Sequence, residues 1–106
     1  DLAQAIIKIL ILSKKKYWDL LRKNKVLMLN IGTSKGISIR GLSKLIKEVI
    51  DFKGKILFKK KYPNGNPYKV LDCSVIFKIW KPKIKLKEGI NLTFLNYKNN
   101  FKNLRK

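Results

Sequence analysis

The chain has 106 residues, 45% of them hydrophobic, and a formal net charge of +20, which is enough for one small domain and too little for two. Its single cysteine excludes an internal disulfide, and the absence of histidine excludes a Cys/His zinc site. Six scattered carboxylates without a histidine provide no evident acid–base pair.

The positive charge first suggests a nucleic-acid partner, because Lys and Arg that neutralise phosphates release counterions. However, lysine supplies 23 of the 26 basic residues, whereas readers of bases and phosphates rely on the bidentate fork of arginine. The lysines accompany 14 Ile and 9 Asn, the residues of A/T-rich codons. We therefore predict a solvated basic surface and disfavour nucleic acid as a partner.

The start of the chain carries no signal-peptide pattern, so we expect a cytoplasmic protein. The longest apolar run, residues 6–12, is broken by Lys8 and is far shorter than the ~20 residues that span a bilayer. We therefore expect no membrane partner and predict that this run is buried.

The first elements are an apolar helix and an apolar strand. Residues 1–12 are predicted to form the helix, with Asp1 favourably placed near the positive end of its dipole. Residues 13–25 are a Lys-rich insert that either extends this helix or forms a partly ordered connection. Residues 26–31 are a continuous apolar run closed by Gly32, typical of a strand buried on both faces.

The later elements are mostly helical. An amphipathic helix is predicted over 38–50, with its first residue, a serine, as N-cap. Residues 55–58 predict a second short strand, and residues 72–79 a short helix with an aspartate as N-cap. The last predicted helix covers residues 86–97, and the tail 98–106 is expected to fray. The residues that share one face of this helix are Leu86, Ile90, Thr93, Phe94 and Tyr97. The predicted core comprises Leu2, Ile6, Ile9, Leu29, Ile31, Leu42, Leu45, Ile46, Val49, Ile56, Phe58, Ile76, Trp80, Ile90 and Phe94.

A stiff loop follows the second predicted strand. Pro63 and Pro67 bracket Asn64 and Gly65, and this combination predicts a shaped turn rather than a slack linker. Lys69 comes two residues later and can hold a phosphate oxygen as a point charge. In a chain with 23 lysines, composition alone gives this lysine no preference over the others.

Two further motifs favour structural roles. The loop 32–36 lies between a predicted strand and a predicted helix, but its glycines fit no phosphate-binding fingerprint, which favours an ordinary turn. Cys73 has no histidine to activate it and is predicted to be a packed thiol.

The order of several short runs of residues along the chain indicates a family resemblance. They are Asn30–Thr33, Ile37–Arg40, Phe52–Ile56, Pro63 with Gly65 and Pro67, Lys69, Leu71–Asp72, Trp80–Ile84 and Glu88–Ile90. In this order they closely resemble the C-terminal part of the GDP-L-fucose synthases, in the extended short-chain dehydrogenase/reductase group. The resemblance covers most of residues 1–97 and leaves out the insert 13–25.

The resemblance implies an α/β fold for residues 1–106, as a C-terminal substrate-domain fragment without the nucleotide-binding Rossmann half. We expect two short strands and about four helices, arranged as helix 1–12, insert 13–25, substrate-domain core 26–97 and tail 98–106. Without the missing half, we expect apolar surface to remain exposed.

The resemblance also implies a substrate-binding set. In the family, the loop that matches residues 63–69 approaches the GDP-sugar, with a lysine at Lys69 as a phosphate contact. The family has an aspartate at Asn64, as a substrate contact, and an arginine at Tyr68. Asparagine keeps an acceptor oxygen but loses the negative charge.

The catalytic machinery of the family has no counterpart in these residues. No Tyr-x-x-x-Lys pair and no glycine-rich NADP fingerprint is present. The resemblance implies an NADPH-dependent enzyme, homodimeric when intact, that epimerises and reduces GDP-4-keto-6-deoxy-mannose to GDP-L-fucose. NADP would be bound by the missing half, and we predict that these 106 residues alone are inactive.

Two other interpretations stay open. One is a free-standing basic module that binds the phosphates of nucleic acid or of another polyanion. The other is a fragment of a different sugar-nucleotide epimerase, because extended members of the group share the early helix and strand patterns.

Overall fold

The computed structural model describes residues 1–59, 61 and 65–101. Over these residues the secondary structure consists of four α-helices and one 3-10 turn. The elements are α1 (Leu2–Leu10), α2 (Lys14–Lys23), α3 (Ile39–Val49), the 3-10 turn Ile76–Lys78 and α4 (Leu86–Asn100). These elements belong to two compact units. The first unit consists of Asp1–Gly36 and Tyr68–Lys83, and the second consists of the described parts of Ile37–Pro67 and Ile84–Lys106.

The predicted α/β fold is wrong, because no β-strand occurs in the part of the chain that the structure describes. Both predicted strands, 26–31 and 55–58, lie outside regular secondary structure. A strand requires a neighbour that pairs with its N–H and C=O groups. An apolar run indicates that burial of its side chains would be favourable, but it does not supply a second strand with which to pair. Leu27 is 94% exposed, so the predicted burial of residues 26–31 on both faces is also wrong.

The first unit begins with α1. The backbone N–H of Lys83 donates to both carboxylate oxygens of Asp1, at 3.2 Å each. These bonds join the N-terminus of α1 to the end of the segment Tyr68–Lys83. Ala5, on α1, is completely buried.

Helix α2 lies inside the predicted Lys-rich insert and is separate from α1. Ser13 caps it, because its hydroxyl oxygen accepts a hydrogen bond from the backbone N–H of Lys16 at 3.3 Å. Leu21 is the buried residue of this helix. The side chain of Lys78 donates to the amide oxygen of Asn24, where α2 ends.

The second unit contains α3 and α4, which pack against each other. The predicted N-cap of α3 is confirmed, since the Ser38 hydroxyl accepts from the backbone N–H of Gly41 at 3.0 Å. A Cβ at Gly41 would lie 3.1 Å from that hydroxyl oxygen, so glycine leaves room for the cap. Helix α4 continues to Asn100, and residues 102–106 of the predicted tail lie outside the described residues.

Burial is sparse in both units. The buried hydrophobic residues of the described chain are Ala5, Leu21, Cys73 and Ile76. Of these, Ile76 belongs to the predicted core and Cys73 was predicted to be a packed thiol, whereas the burial of Ala5 and Leu21 was not predicted. Leu2, Ile6, Ile46 and Phe58 were predicted to be core residues and are exposed. The predicted burial of residues 6–12 is likewise wrong, because Ile7, Leu10 and Ile11 are exposed. An apolar pattern identifies side chains whose burial would be favourable. In the described chain, no other element covers the exposed side chains named here.

No helix in the described residues is both long enough and apolar enough to cross a bilayer.

The C-terminus of α2 stores backbone strain. Lys25 has a φ of 53°, in the left-handed region that favours glycine. The N–H groups of Val26 and Lys25 donate to the carbonyls of Leu21 and Arg22, both at 3.1 Å. This is a Schellman motif with lysine at the position that glycine usually occupies.

Replacing Lys25 by glycine should therefore stabilise the chain by about 0.5–1 kcal/mol, because the left-handed conformation is costly for residues with a Cβ. Urea denaturation followed by circular dichroism measures the change. The control Lys23→Gly introduces glycine at the last residue of α2, where the backbone is not left-handed, and should destabilise by up to about 1 kcal/mol. Equal destabilisation by both substitutions would contradict the assignment of strain to Lys25.

Candidate functional site

Two segments of the first unit lie together and form the candidate site. The side-chain amide of Asn30 donates to the backbone carbonyl of Asp72 at 3.1 Å. The backbone N–H of Cys73 donates to the hydroxyl of Ser34 at 2.8 Å. These bonds join positions 42 and 39 residues apart. We refer to the segments 30–36 and 68–74 as the paired loops.

Glycines allow the paired loops to approach closely. A Cβ on Gly36 would lie 2.8 Å from Cγ2 of Val70, a distance that would force the Val70 side chain or the backbone of one segment to shift. A Cβ on Gly32 would lie 3.2 Å from the sulfur of Cys73. The predicted role of this loop as a strand-to-helix turn is wrong, because no strand precedes it in the described chain and it packs on residues 68–74.

Two buried side chains lie in or just after the second of the paired loops. Cys73 is 1% exposed and Ile76 is fully buried. The prediction that Cys73 is a packed thiol is therefore confirmed, and its sulfur has no exposed surface with which to meet a substrate.

Asp72 forms a local turn instead of the predicted helix cap. Its Oδ1 accepts from the backbone N–H of Ser74 at 2.8 Å, which is the geometry of an Asx turn. The helix predicted over 72–79 is reduced to the 3-10 turn Ile76–Lys78, and Val75 is its capping residue. The hydrogen bonds from the backbone and side chain of Ser74 favour the carboxylate and lower the pKa of Asp72.

The predicted site residues have different outcomes. Tyr68 is 78% exposed, and Lys69 is exposed beside it on the paired loops. No hydrogen bond or ion pair joins Lys69 to another residue of the described chain. Asn64 lies outside the described residues, so its relation to the other two stays a prediction.

Sequence reasoning missed the residues that position this segment. Asn30 and Ser34 hold the backbone of residues 72 and 73, and neither was identified as a positioning residue. The signal for Ser34 was its place between two glycines, but its partner lies 39 residues away and cannot be read from local pattern.

The described residues contain no cluster of three His, Cys, Asp or Glu side chains that could hold a metal ion. A separate groove of about 590 Å³ lies in the second unit, between the end of α3 and the start of α4. It contains none of the predicted site residues. Its Lys87 forms an ion pair with Glu48 at 2.5 Å, so the two charges offset each other.

Comparison with curated proteins identified relatives that carry the names of sugar-nucleotide enzymes. A rice protein (Oryza sativa subsp. japonica) named as a GDP-L-fucose synthase is 40% identical over 72 residues, 67% of this chain and 22% of the relative. The GDP-L-fucose synthase of Escherichia coli (strain K12) is 33% identical over 67 residues, 62% of this chain and 21% of the relative. A Methanocaldococcus jannaschii protein named as a UDP-glucose 4-epimerase is 39% identical over 80 residues, 74% of this chain and 25% of the relative.

No protein-family model and no solved structure matches the chain. The chain spans between 21% and 25% of the length of the three relatives described above. Each similarity therefore concerns a segment of the relative.

The hydroxyl of Ser34 should be important for the stability of the paired loops. Ser34→Ala leaves the part-buried N–H of Cys73 without its acceptor, and we expect destabilisation of about 1–3 kcal/mol. Ser43→Ala in α3 is the matched control, because the Ser43 hydroxyl bonds only to the carbonyl of Arg40 within its own helix. Urea denaturation of both variants measures the difference, and equal effects would contradict the assigned role.

A methyl group at Gly36 should disturb the same contact. Gly36→Ala places a Cβ 2.8 Å from Val70, and overpacking of this kind costs about 1–3 kcal/mol. Gly65→Ala is the control, because a Cβ there has no neighbour within 4 Å. If the two variants unfold at the same urea concentration, the close approach of the loops does not occur in solution.

The pKa of Asp72 can be measured by NMR titration of its side-chain carboxyl. We expect a pKa below the usual aspartate value, because the Ser74 N–H stabilises the carboxylate. Since the folded-state pKa is depressed, the turn contributes stability above the unfolded-state pKa and loses it as pH falls through the folded-state value. A pKa at or above the usual aspartate value would show that the turn is not formed.

Proposed function

We propose a role in GDP-sugar binding for this chain, which is a homologue of the GDP-L-fucose synthases in the extended short-chain dehydrogenase/reductase family. In this proposal the chain is part of an NADPH-dependent enzyme that epimerises and reduces GDP-4-keto-6-deoxy-mannose to GDP-L-fucose. The observation that carries the proposal is the exposed Lys69 on a segment fixed by the paired loops, at the position of the family's phosphate contact.

The geometry of the paired loops supports the phosphate role of Lys69. Its backbone lies between Val70, against which Gly36 packs, and the exposed Tyr68. The ammonium group has no partner among the described residues, so binding a phosphate oxygen there requires no protein ion pair to break. A lysine ammonium binds phosphate as a point charge. The electrostatic attraction between the two groups becomes stronger when the bound ligand excludes water from them.

Tyr68 gives the segment a different chemistry from the family's arginine. Tyr68 is 78% exposed, and an exposed aromatic side chain can stack on a base or pack against a ribose. It cannot replace the bidentate charge of an arginine. We therefore propose that Tyr68 packs against the nucleoside, that Lys69 binds the diphosphate, and that Asn64 supplies a hydrogen-bond acceptor.

The chemical steps belong to other parts of the proposed enzyme. NADP would be bound by a Rossmann half that these residues do not include, and the intact enzyme would be a homodimer. The described residues offer no acid–base pair on the paired loops, since Asp72 is a carboxylate in a turn with Ser74 and Cys73 is buried.

GDP binding by the purified 106-residue chain tests the role of Lys69. In isothermal titration calorimetry, Lys69→Ala should weaken GDP binding at least tenfold, about 1.4 kcal/mol, because a charge-assisted bond to phosphate is lost. Lys44→Ala removes an exposed lysine of α3 in the other unit and serves as the control. GDP binding that is equally sensitive to both substitutions would contradict a specific phosphate site.

The same chain should not oxidise NADPH in the presence of the keto-sugar, because it supplies neither the cofactor site nor the catalytic pair. Absorbance at the NADPH band measures this directly. Turnover above that of a buffer control would overturn the assignment of this chain to substrate binding alone.

A second candidate substrate class follows from the M. jannaschii relative named as a UDP-glucose 4-epimerase. Comparing the affinity of the chain for UDP with its affinity for GDP distinguishes a UDP-sugar substrate from a GDP-sugar substrate. Preference for GDP favours the fucose-synthase branch, and preference for UDP favours another sugar-nucleotide epimerase. Salt-sensitive retention of DNA or RNA without discrimination among nucleotides would instead favour the basic module.

A further inference from the structure

The first of the paired loops carries a lysine that the proposed function does not use. Lys35 is exposed, and it is the one charged residue of the segment 30–36. The other segment, 68–74, contains a further lysine, Lys69, and a carboxylate, Asp72. An anionic ligand on the paired loops therefore has two lysines available, one from each segment.

A contact on each side of Lys35 holds its segment against the other loop. Ser34, the residue before it, accepts a hydrogen bond from the backbone N–H of Cys73 at 2.8 Å. Gly36, the residue after it, lies so close to Val70 that an added Cβ would be 2.8 Å from Cγ2 of that side chain. Lys35 is thus flanked by a hydrogen bond and by a close approach to the segment 68–74.

The approach at Gly36 also places Lys69 near Lys35. Lys69 lies between Tyr68 and Val70 in the sequence, and both of these side chains lie near Gly36. A Cβ there would be 3.9 Å from Cε2 of Tyr68. Consecutive Cα atoms are about 3.8 Å apart, so each lysine is one such step from this contact. Each lysine has a flexible four-carbon stem, which allows both ammonium groups to reach one ligand over the contact.

The backbone of Lys35 is fixed within its own loop. Its N–H donates to the hydroxyl oxygen of Thr33 at 3.3 Å, and this hydroxyl donates to the carbonyl of Lys35 at 3.4 Å. Ser34, between them, has a φ of 54°, which is costly for a residue with a Cβ. Glycine would relieve this strain but would remove the hydroxyl that bonds to Cys73. The contact that positions Lys35 is therefore kept at a cost in backbone strain.

The described residues do not neutralise the two lysines. Both ion pairs of the described chain lie in the second unit, and no hydrogen bond joins the ammonium group of Lys35 or Lys69 to another described residue. The carboxylate of Asp72 accepts from the backbone N–H of Ser74. Two positive charges on adjacent segments repel each other, and an anion that binds to both offsets this repulsion.

We propose that Lys35 is a second phosphate-binding residue, which acts with Lys69 to select a nucleoside diphosphate over a monophosphate. This inference rests on the proposed GDP-sugar site and extends that site to the first of the paired loops. We refer to Lys35 and Lys69 as the lysine pair. A single phosphate occupies one ammonium group, whereas two joined phosphates present negative charge to both. Because Tyr68 is uncharged, the second positive charge comes from the loop that packs against the segment 68–74.

The proposed role differs from a phosphate cradle made of backbone N–H groups. The glycines of the loop 32–36 fit no phosphate-binding fingerprint. Gly32 and Gly36 instead allow the close approach to Cys73 and Val70. The glycines bring the segments together, and the side chain of Lys35 supplies the charge.

Isothermal titration calorimetry of the full chain with GDP and with GMP tests the proposal. The unmodified chain should bind GDP about tenfold more tightly than GMP, because GDP alone engages both lysines. Lys35→Ala should weaken GDP binding roughly fivefold to tenfold, through loss of one charge-assisted contact, and should change GMP binding less than about twofold. Lys35→Arg keeps the positive charge and should restore most of the lost affinity.

A matched variant in the same unit controls for general attraction of anions. Lys81 is an exposed lysine of the first unit that lies outside the paired loops. Lys81→Ala removes the same charge and should change GDP binding less than about twofold. The bonds of Lys35 to Thr33 use its backbone groups, so Lys35→Ala should leave the fold intact, which circular dichroism and urea denaturation can verify.

Pyrophosphate separates this inference from the proposed function. It contains two joined phosphates without a nucleoside, and its affinity should fall when either Lys35 or Lys69 is replaced by alanine. Pyrophosphate binding that depends on both lysines, in a chain that does not bind GDP, would support the lysine pair and contradict the proposed function.

Three results would overturn the proposal. The first is GDP binding that is weakened by Lys69→Ala and unaffected by Lys35→Ala, which leaves the proposed function in place. The second is an equal loss of GDP and GMP affinity in Lys35→Ala, or an equal loss of GDP affinity in Lys81→Ala. The third is a chain that binds neither GDP nor pyrophosphate, which contradicts the proposed function as well.

Discussion

The structure of the first unit depends on the hydrogen bonds that hold the paired loops together. Asn30 and Ser34 satisfy backbone groups of residues 72 and 73, and a buried backbone N–H without an acceptor would cost free energy. Lys69 lies three residues before Asp72. Because residues 72 and 73 are held in place, the Lys69 side chain is exposed to solvent at a defined position. The proposed GDP site is therefore an effect of loop pairing and not of a sheet or a helix terminus.

Local pattern predicted the elements whose causes are local. Ser38 caps α3 as predicted, because the preference for a hydroxyl at that position depends only on adjacent backbone. The strands were predicted wrongly because β-pairing depends on a second segment, and the apolar run 26–31 has no pairing partner in the described chain. The contact between Ser34 and Cys73 escaped prediction for the same reason. The Schellman motif at Lys25 was missed because its usual glycine is absent.

Order of residues conveyed more about function than composition did. Composition gave Lys69 no preference over 22 other lysines, and only its place in a family-like run of residues distinguished it. The identity to relatives named as GDP-L-fucose synthases supports the resemblance to that family, and the role of Lys69 stays a proposal. The insert 13–25 is different, because the family resemblance does not account for it.

The most direct test of the central claim is an NMR titration of the isotope-labelled chain with GDP, following every backbone amide. We predict that the largest chemical-shift changes occur at the amides of 68–73 and extend to 32–36 through the paired loops. Changes confined to α2 or spread evenly over the lysine-rich surface would contradict the account, as would the absence of any change at millimolar GDP.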